Sequence, residues 1–140
     1  MNDIEQLKLD YENAKSIRSM IEHENNLQNY RLTWLMTIQG LLFTGLGFAW
    51  DKKDAMGLVT IFCLVGILVA ISTWSALKLS DSALENLVKW WENNKSEQYT
   101  GSPIIGLYNR KLTVLRPWVA LPWIFIGAWL VILFQNLMRQ

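Results

Sequence analysis

The stretch HENNLQNYRLTWLMTIQGLLFTGLGFAW, residues 23–50, begins polar, ends apolar and contains no proline. From Leu32 to Trp50 nineteen residues pass without a charge. At about 1.5 Å rise per residue, a helix of that length nearly matches a hydrocarbon core of roughly 30 Å. The stretch reads as a helix that enters a membrane from its polar end, and the rest of the chain is read outward from it.

Two further apolar runs, residues 56–79 and 118–138, have the same character. With 51% apolar residues and eight tryptophans in 140 residues, the composition is that of a helical integral membrane protein. The expected fold is all-α, one membrane domain over 1–140: a long amphipathic helix at 1–30, spans at 32–50, 56–79 and 118–138, and a polar helix and loop at 80–116. A net charge of +1 argues against a nucleic-acid partner and makes electrostatics a local matter. The single cysteine, Cys63, lies within an apolar run and reads as a small buried hydrophobe. The opening MNDIEQLKLD has neither a basic n-region nor an apolar core, so residues 32–50 are expected to serve as the insertion signal.

Ahead of the first span, Ile4, Leu7, Tyr11, Ala14, Ile17 and Ile21 recur at steps of three and four, the spacing of one helical stripe. No proline or glycine interrupts residues 1–39, so this helix can run on into the first span. Its stripe then needs a partner outside the bilayer: the chain's own polar segment, or a bundle of such helices from several subunits. Only residues 51–55 separate the first two spans, which makes them an antiparallel hairpin. Arg116 and Pro117 introduce the third span, where Pro122 and Gly127 are places for a bend. Between spans two and three, SDSALENLVKWWENN (80–94) places Leu84, Leu87, Val88 and Trp91 on one helical face, so it is expected either to extend span two or to lie along the membrane interface. The following residues 95–116, with Gly101, Pro103 and Gly106, read as a loop with a short second element.

Lysine and arginine counts set the orientation. The amino-terminal segment has four and the stretch from Lys78 to Arg116 six, whereas the 51–55 turn has two and the carboxyl end one. Ten against three predicts that the amino terminus faces the cytoplasm and the carboxyl end lies on the opposite side of the membrane. Trp34, Trp50, Trp90, Trp91 and Trp118 fall near span boundaries as an aromatic belt does, while Trp74, Trp123 and Trp129 are expected deeper, as packing residues.

The residues do not compose a catalytic, cofactor or metal site. His23 has glutamates on both sides, but sequence neighbours point to different helix faces, and no second imidazole stands nearby. The glycines at 40, 45 and 47 lie in a span, where small residues allow close helix approach rather than cradle phosphate. The polar constellation is the informative part. Glu24, Gln28 and Arg31 share one face, and Gln28, Leu32, Leu35 and Gln39 form another row. Gln39 stands about two turns into the first span, where a side-chain amide needs a partner: another helix of the chain, water, or a symmetry mate. Gly40, Thr44 and Gly47 follow a small-residue spacing on span one, as do Gly66, Ala70 and Thr73 on span two.

The run at 23–50, the KWW at 89–91 and LRPWVALPWIFIGAW at 115–129 resemble small bacterial inner-membrane proteins. In architecture the chain is also similar to oligomeric membrane effectors of antiphage defence. Gln39, the small-residue faces and the extended stripe lead to the expectation of a homo-oligomer, triggered from the cytoplasm, that forms a pore or perturbs the bilayer. Three helices of one chain pack directly on one another, so conduction requires several copies around an axis. Gln28, Arg31, Gln39, Gly40, Thr44 and Gly47 are the expected pore or interface residues, with lipid and other copies as partners. The alternative is a non-conducting anchor that holds a cytosolic protein through Leu84, Leu87, Trp90 and Trp91.

Overall fold

A computed structural model of the chain describes residues 3–104 and 117–139; the expected short element within 105–116 lies outside the described residues. Among these residues the chain forms three α-helices, α1 (Asp3–Ala49), α2 (Met56–Asn94) and α3 (Pro117–Met138), with a single 3-10 turn at Lys53–Ala55. All three helices are long and apolar enough to cross a membrane.

Helix α1 runs unbroken for 47 residues, about 70 Å, so the polar start and the first span are one rod. No proline stops it before Ala49, and of its three glycines Gly45 packs against the Phe62 ring while Gly40 and Gly47 stay helical on the exposed side. Its inward line combines buried Asp10, Ala14, Ile17, Gln28, Leu35, Gln39 and Ala49 with half-buried Ile21, Glu24, Arg31 and Leu42. Those positions advance by threes and fours, the spacing of a coiled-coil seam. The separation of polar from apolar is incomplete, since Asp10 is inside while Ile4, Leu9 and Met20 are outside. Of the stripe read from sequence, Ala14 and Ile17 are buried and Ile4 and Tyr11 are exposed.

Helix α2 repeats the pattern with Val59, Cys63, Gly66, Ala70, Leu77, Ser80, Leu84 and Trp91 buried. Segment 80–94 therefore continues span two straight out of the apolar zone. The two rods turn at Trp50–Ala55, where Lys52 N–H donates to Ala49 O (3.2 Å) and Ala55 N–H to Lys52 O (3.0 Å). Gln39 meets Gly66, Gln28 meets Ser80, and Ile17 clusters with Trp91, as the register of an antiparallel pair requires. Helix α3 packs chiefly on α2 and meets α1 at few points.

Two apolar cores result. One lies in the charge-free half around Ala49, Val59, Cys63 and Trp129, flanked by Leu42, Phe43, Phe62 and Phe125. The other lies in the polar half, hereafter the stalk, around Ala14, Ile17 and Trp91, with Ile21, Leu87, Tyr99 and Ile104 against it. In the charge-free half Leu41, Phe48, Leu68 and Phe134 face outward and exposed. A continuous apolar surface on every side is compatible with lipid and not with water.

Candidate functional site

Between the two cores the seam turns polar. Glu24, Gln28 and Arg31 lie on one face of α1, and opposite them stand Ser80 and Asp81 of α2. The Gln28 amide donates from Nε2 to Ser80 Oγ (3.3 Å) and to Asp81 Oδ1 (3.0 Å). Ser80 Oγ donates in turn to Glu24 Oε2 at 2.6 Å. Arg31 Nη1 reaches Ala76 O at 3.5 Å. The amide thus bridges two carboxylate-bearing sites, and both of its N–H groups are engaged. This neck is a hydrogen-bond chain, Glu24 to Ser80 to Gln28 to Asp81, that joins α1 to α2.

Deeper, Gln39 is fully buried within the subunit. Its Nε2 donates to Gly66 O (2.9 Å) and its Oε1 accepts from Trp129 Nε1 (2.6 Å), so one amide ties all three helices together. The Trp129 ring stacks on Phe43 with centroids 4.4 Å apart and planes 8° apart. A Cβ at Gly66 would collide with the Trp129 indole, which explains glycine at that place. Near the turn end, buried Asn136 donates from Nδ2 to Thr60 Oγ1 (3.0 Å) and Met56 O (3.2 Å). Beside it Arg139 donates to Trp50 O (3.0 Å) and lies over the Trp50 ring.

The positions singled out from sequence therefore divide. Gln28, Arg31 and Gln39 come together on the inner seam of one chain. Gly40, Thr44 and Gly47 lie on the opposite, exposed side of α1; a Cβ at Gly40 or Gly47 would meet nothing within 4 Å. Thr33, Thr37 and Thr44 on that side return their hydroxyls to carbonyls one turn back. Leu84 and Trp91 are stalk core, Trp91 at 2% exposure, whereas Leu87 is half-buried and Trp90 is 49% exposed.

Sequence reasoning missed Asn136, Ser80, Asp81 and Asp10. The polarity that marked Gln39 within span one equally marks Asn136 within span three. Asp10, a charged residue off the apolar stripe of this helix, is buried. It accepts from Ser96 N–H (3.2 Å) and Gln6 Nε2 (3.4 Å), holding the chain as it leaves α2. Arg18 completes that distal clasp by donating to Tyr99 OH (3.1 Å) and Ser102 O (2.6 Å), while the Tyr99 ring packs against Tyr11 and Trp91.

Beside the neck a groove of about 590 Å³ opens between the two rods, lined by Ser19, Met20, His23, Glu24, Ala83, Leu84 and Leu87. Trp90 is not part of this lining; exposed about one turn beyond Leu87, it shares the helix face of Ala83 and Leu87 by spacing.

Compared with known proteins, the chain matches no family model, no curated protein and no solved structure. A functional reading consequently rests on the geometry.

Proposed function

We propose that this protein is a non-conducting membrane anchor of the bacterial inner membrane that holds out a rigid cytoplasmic helical stalk to recruit a protein partner. The observation that carries this reading is the continuity of α1 and α2 beyond the charge-free half, closed by its own core at Ala14, Ile17 and Trp91. With roughly 30 Å of α1 inside the bilayer, about 40 Å projects from it. Ten basic residues on the stalk side against three on the other favour a cytoplasmic stalk and an outward carboxyl end.

The groove beside the neck supplies the docking surface. In the charge-free half a third helix, α3, completes the α1–α2 hairpin; among the described residues no helix does so in the stalk. The fitting occupant is an amphipathic helix whose apolar side covers Met20, Leu87 and Trp90 and whose polar edge meets His23 and Glu24. A photo-crosslinker placed at Met20, an exposed site whose replacement leaves the core intact, is expected to trap one stoichiometric protein partner in cells. Trp90→Ala is expected to abolish that adduct while helicity is kept. Retention of the adduct in Trp90→Ala, or ion flux through liposomes carrying the pure protein, would sink the proposal.

A second reading, the homo-oligomeric pore or bilayer-perturbing effector, draws on the open α1 side bearing Thr33, Thr37, Gly40, Thr44 and Gly47. With Gln39 engaged inside the subunit, those threonines rather than Gln39 would line such a pore. Flux that disappears in Gly40→Leu would favour it.

A further inference from the structure

The three lysines of α2 and its carboxyl cap are not treated alike. Lys89 pairs with Glu85 at 2.9 Å and Lys95 with Glu92 at 2.7 Å. Lys78 makes no ion pair among the described residues; its ammonium stands 5.3 Å from the centroid of the Trp74 ring one turn earlier. Trp74 meets Trp123 of α3 edge to face, centroids 5.5 Å apart, and Trp123 is 54% exposed. These rings were expected deep in the spans. The Arg31–Ala76 contact instead puts residues 74–78 level with the place where α1 loses its last charge. On α1 near that level, Trp34 is 66% exposed. Lys78 is also the first charged residue on α2 after the uncharged run that begins at Met56.

A cation without a carboxylate, steadied on an aromatic face where hydrocarbon gives way to headgroups, has one abundant complement: the phosphate of an anionic lipid. Arg139 at the other end also lies over a tryptophan, but its guanidinium is engaged by Trp50 O, so the two ends are not equivalent. We propose that Lys78, Trp74 and Trp123 form a seat for an anionic phospholipid in the leaflet on the stalk side. The ammonium contacts the phosphate, and the two indoles flank the glycerol and the upper acyl chain. This seat depends on membrane embedding and is independent of whether the stalk recruits a partner.

The test is native mass spectrometry of the full-length protein released from micelles doped with phosphatidylglycerol or phosphatidylcholine. Wild type is expected to retain phosphatidylglycerol preferentially. Lys78→Gln is expected to retain about fivefold less, the equivalent of roughly 1 kcal/mol for one basic residue at an anionic surface, and Lys78→Arg to keep most of it. Trp74→Leu serves as a second variant that keeps the charge and removes its platform, and it is expected to lower retention too. Equal retention of the two lipids by wild type, undiminished phosphatidylglycerol on Lys78→Gln, or displacement of the lipid by inorganic phosphate each overturns the seat.

Discussion

At the scale of single residues the bundle is specified by a few amides set in apolar surroundings. Gln39 can hold Gly66 O and Trp129 Nε1 together only because Gly66 lets the indole approach the α2 backbone. Leucine at position 39 removes both hydrogen bonds and leaves a buried indole N–H without an acceptor. The expected loss is about 1–2 kcal/mol of bundle stability, the range for interhelical bonds in membranes and unpaired buried donors. Gly66→Ala acts from the opposite direction, adding volume against a fixed ring, at about 1–3 kcal/mol. Because the two changes disrupt one node, their combined cost is expected to fall short of the sum. Reversible denaturant unfolding in mild detergent, read by Trp fluorescence of the single and double variants, checks both statements. That Gln39 needs a partner is legible in the sequence; that the partner is the chain itself is not, since Gly66 and Trp129 are 27 and 90 residues away.

At the scale of elements, the three apolar runs and the tight hairpin between the first two follow from charge and length alone, and the structure has them at those places. The extension of α2 through residue 94 was one of two expected outcomes, along with lying flat at the interface. Pairing decides it, because Trp91 and Leu87 reach the cluster of Ala14, Ile17 and Ile21 only if α2 runs on beside α1. Hydrophobic spacing shows that a face exists, not what covers it. This is why Leu84 and Trp91 read as a surface for a partner and turn out to be the inside of the stalk. The two cores are separated by the neck, so they are expected to fail separately. Trp91→Ala removes the indole that Ala14, Ile17 and Tyr99 pack on, a change worth about 3–5 kcal/mol for a buried aromatic. Hydrogen exchange followed by mass spectrometry is expected to show lost protection in residues 5–22 and 84–94, with residues 35–49 and 59–72 unchanged. Equal loss in both regions would mean the neck does not isolate the stalk.

At the scale of the whole molecule, one seam of heptad spacing passes from the stalk through the neck into the membrane half, so the two halves share a rotational phase. The seam is interrupted by polar groups at Asp10, Glu24, Gln28 and Gln39, each satisfied by a specific partner, and such groups fix register more than they add stability. Inserting one alanine after Tyr30 turns everything before it by about 100° and shifts it by about 1.5 Å along the axis. The Gln39 node, on the far side of the insertion, keeps its partners, while Gln28, Ile17 and Ala14 rotate away from Ser80 and Trp91. The expected product inserts normally and retains exchange protection in residues 35–49, yet exposes the stalk to proteolysis. Matched seven-residue insertions, one in α1 after Tyr30 and one in α2 after Leu77, restore the phase to within about 20°. They return the distal residues to each other and are expected to restore resistance to protease. If the single alanine leaves the stalk protected, the helix absorbs the turn locally, and α1 does not transmit orientation from the membrane to the stalk. Restoration by the matched pair alone establishes the rod as a rigid coupler whose tip reports the position of its anchor.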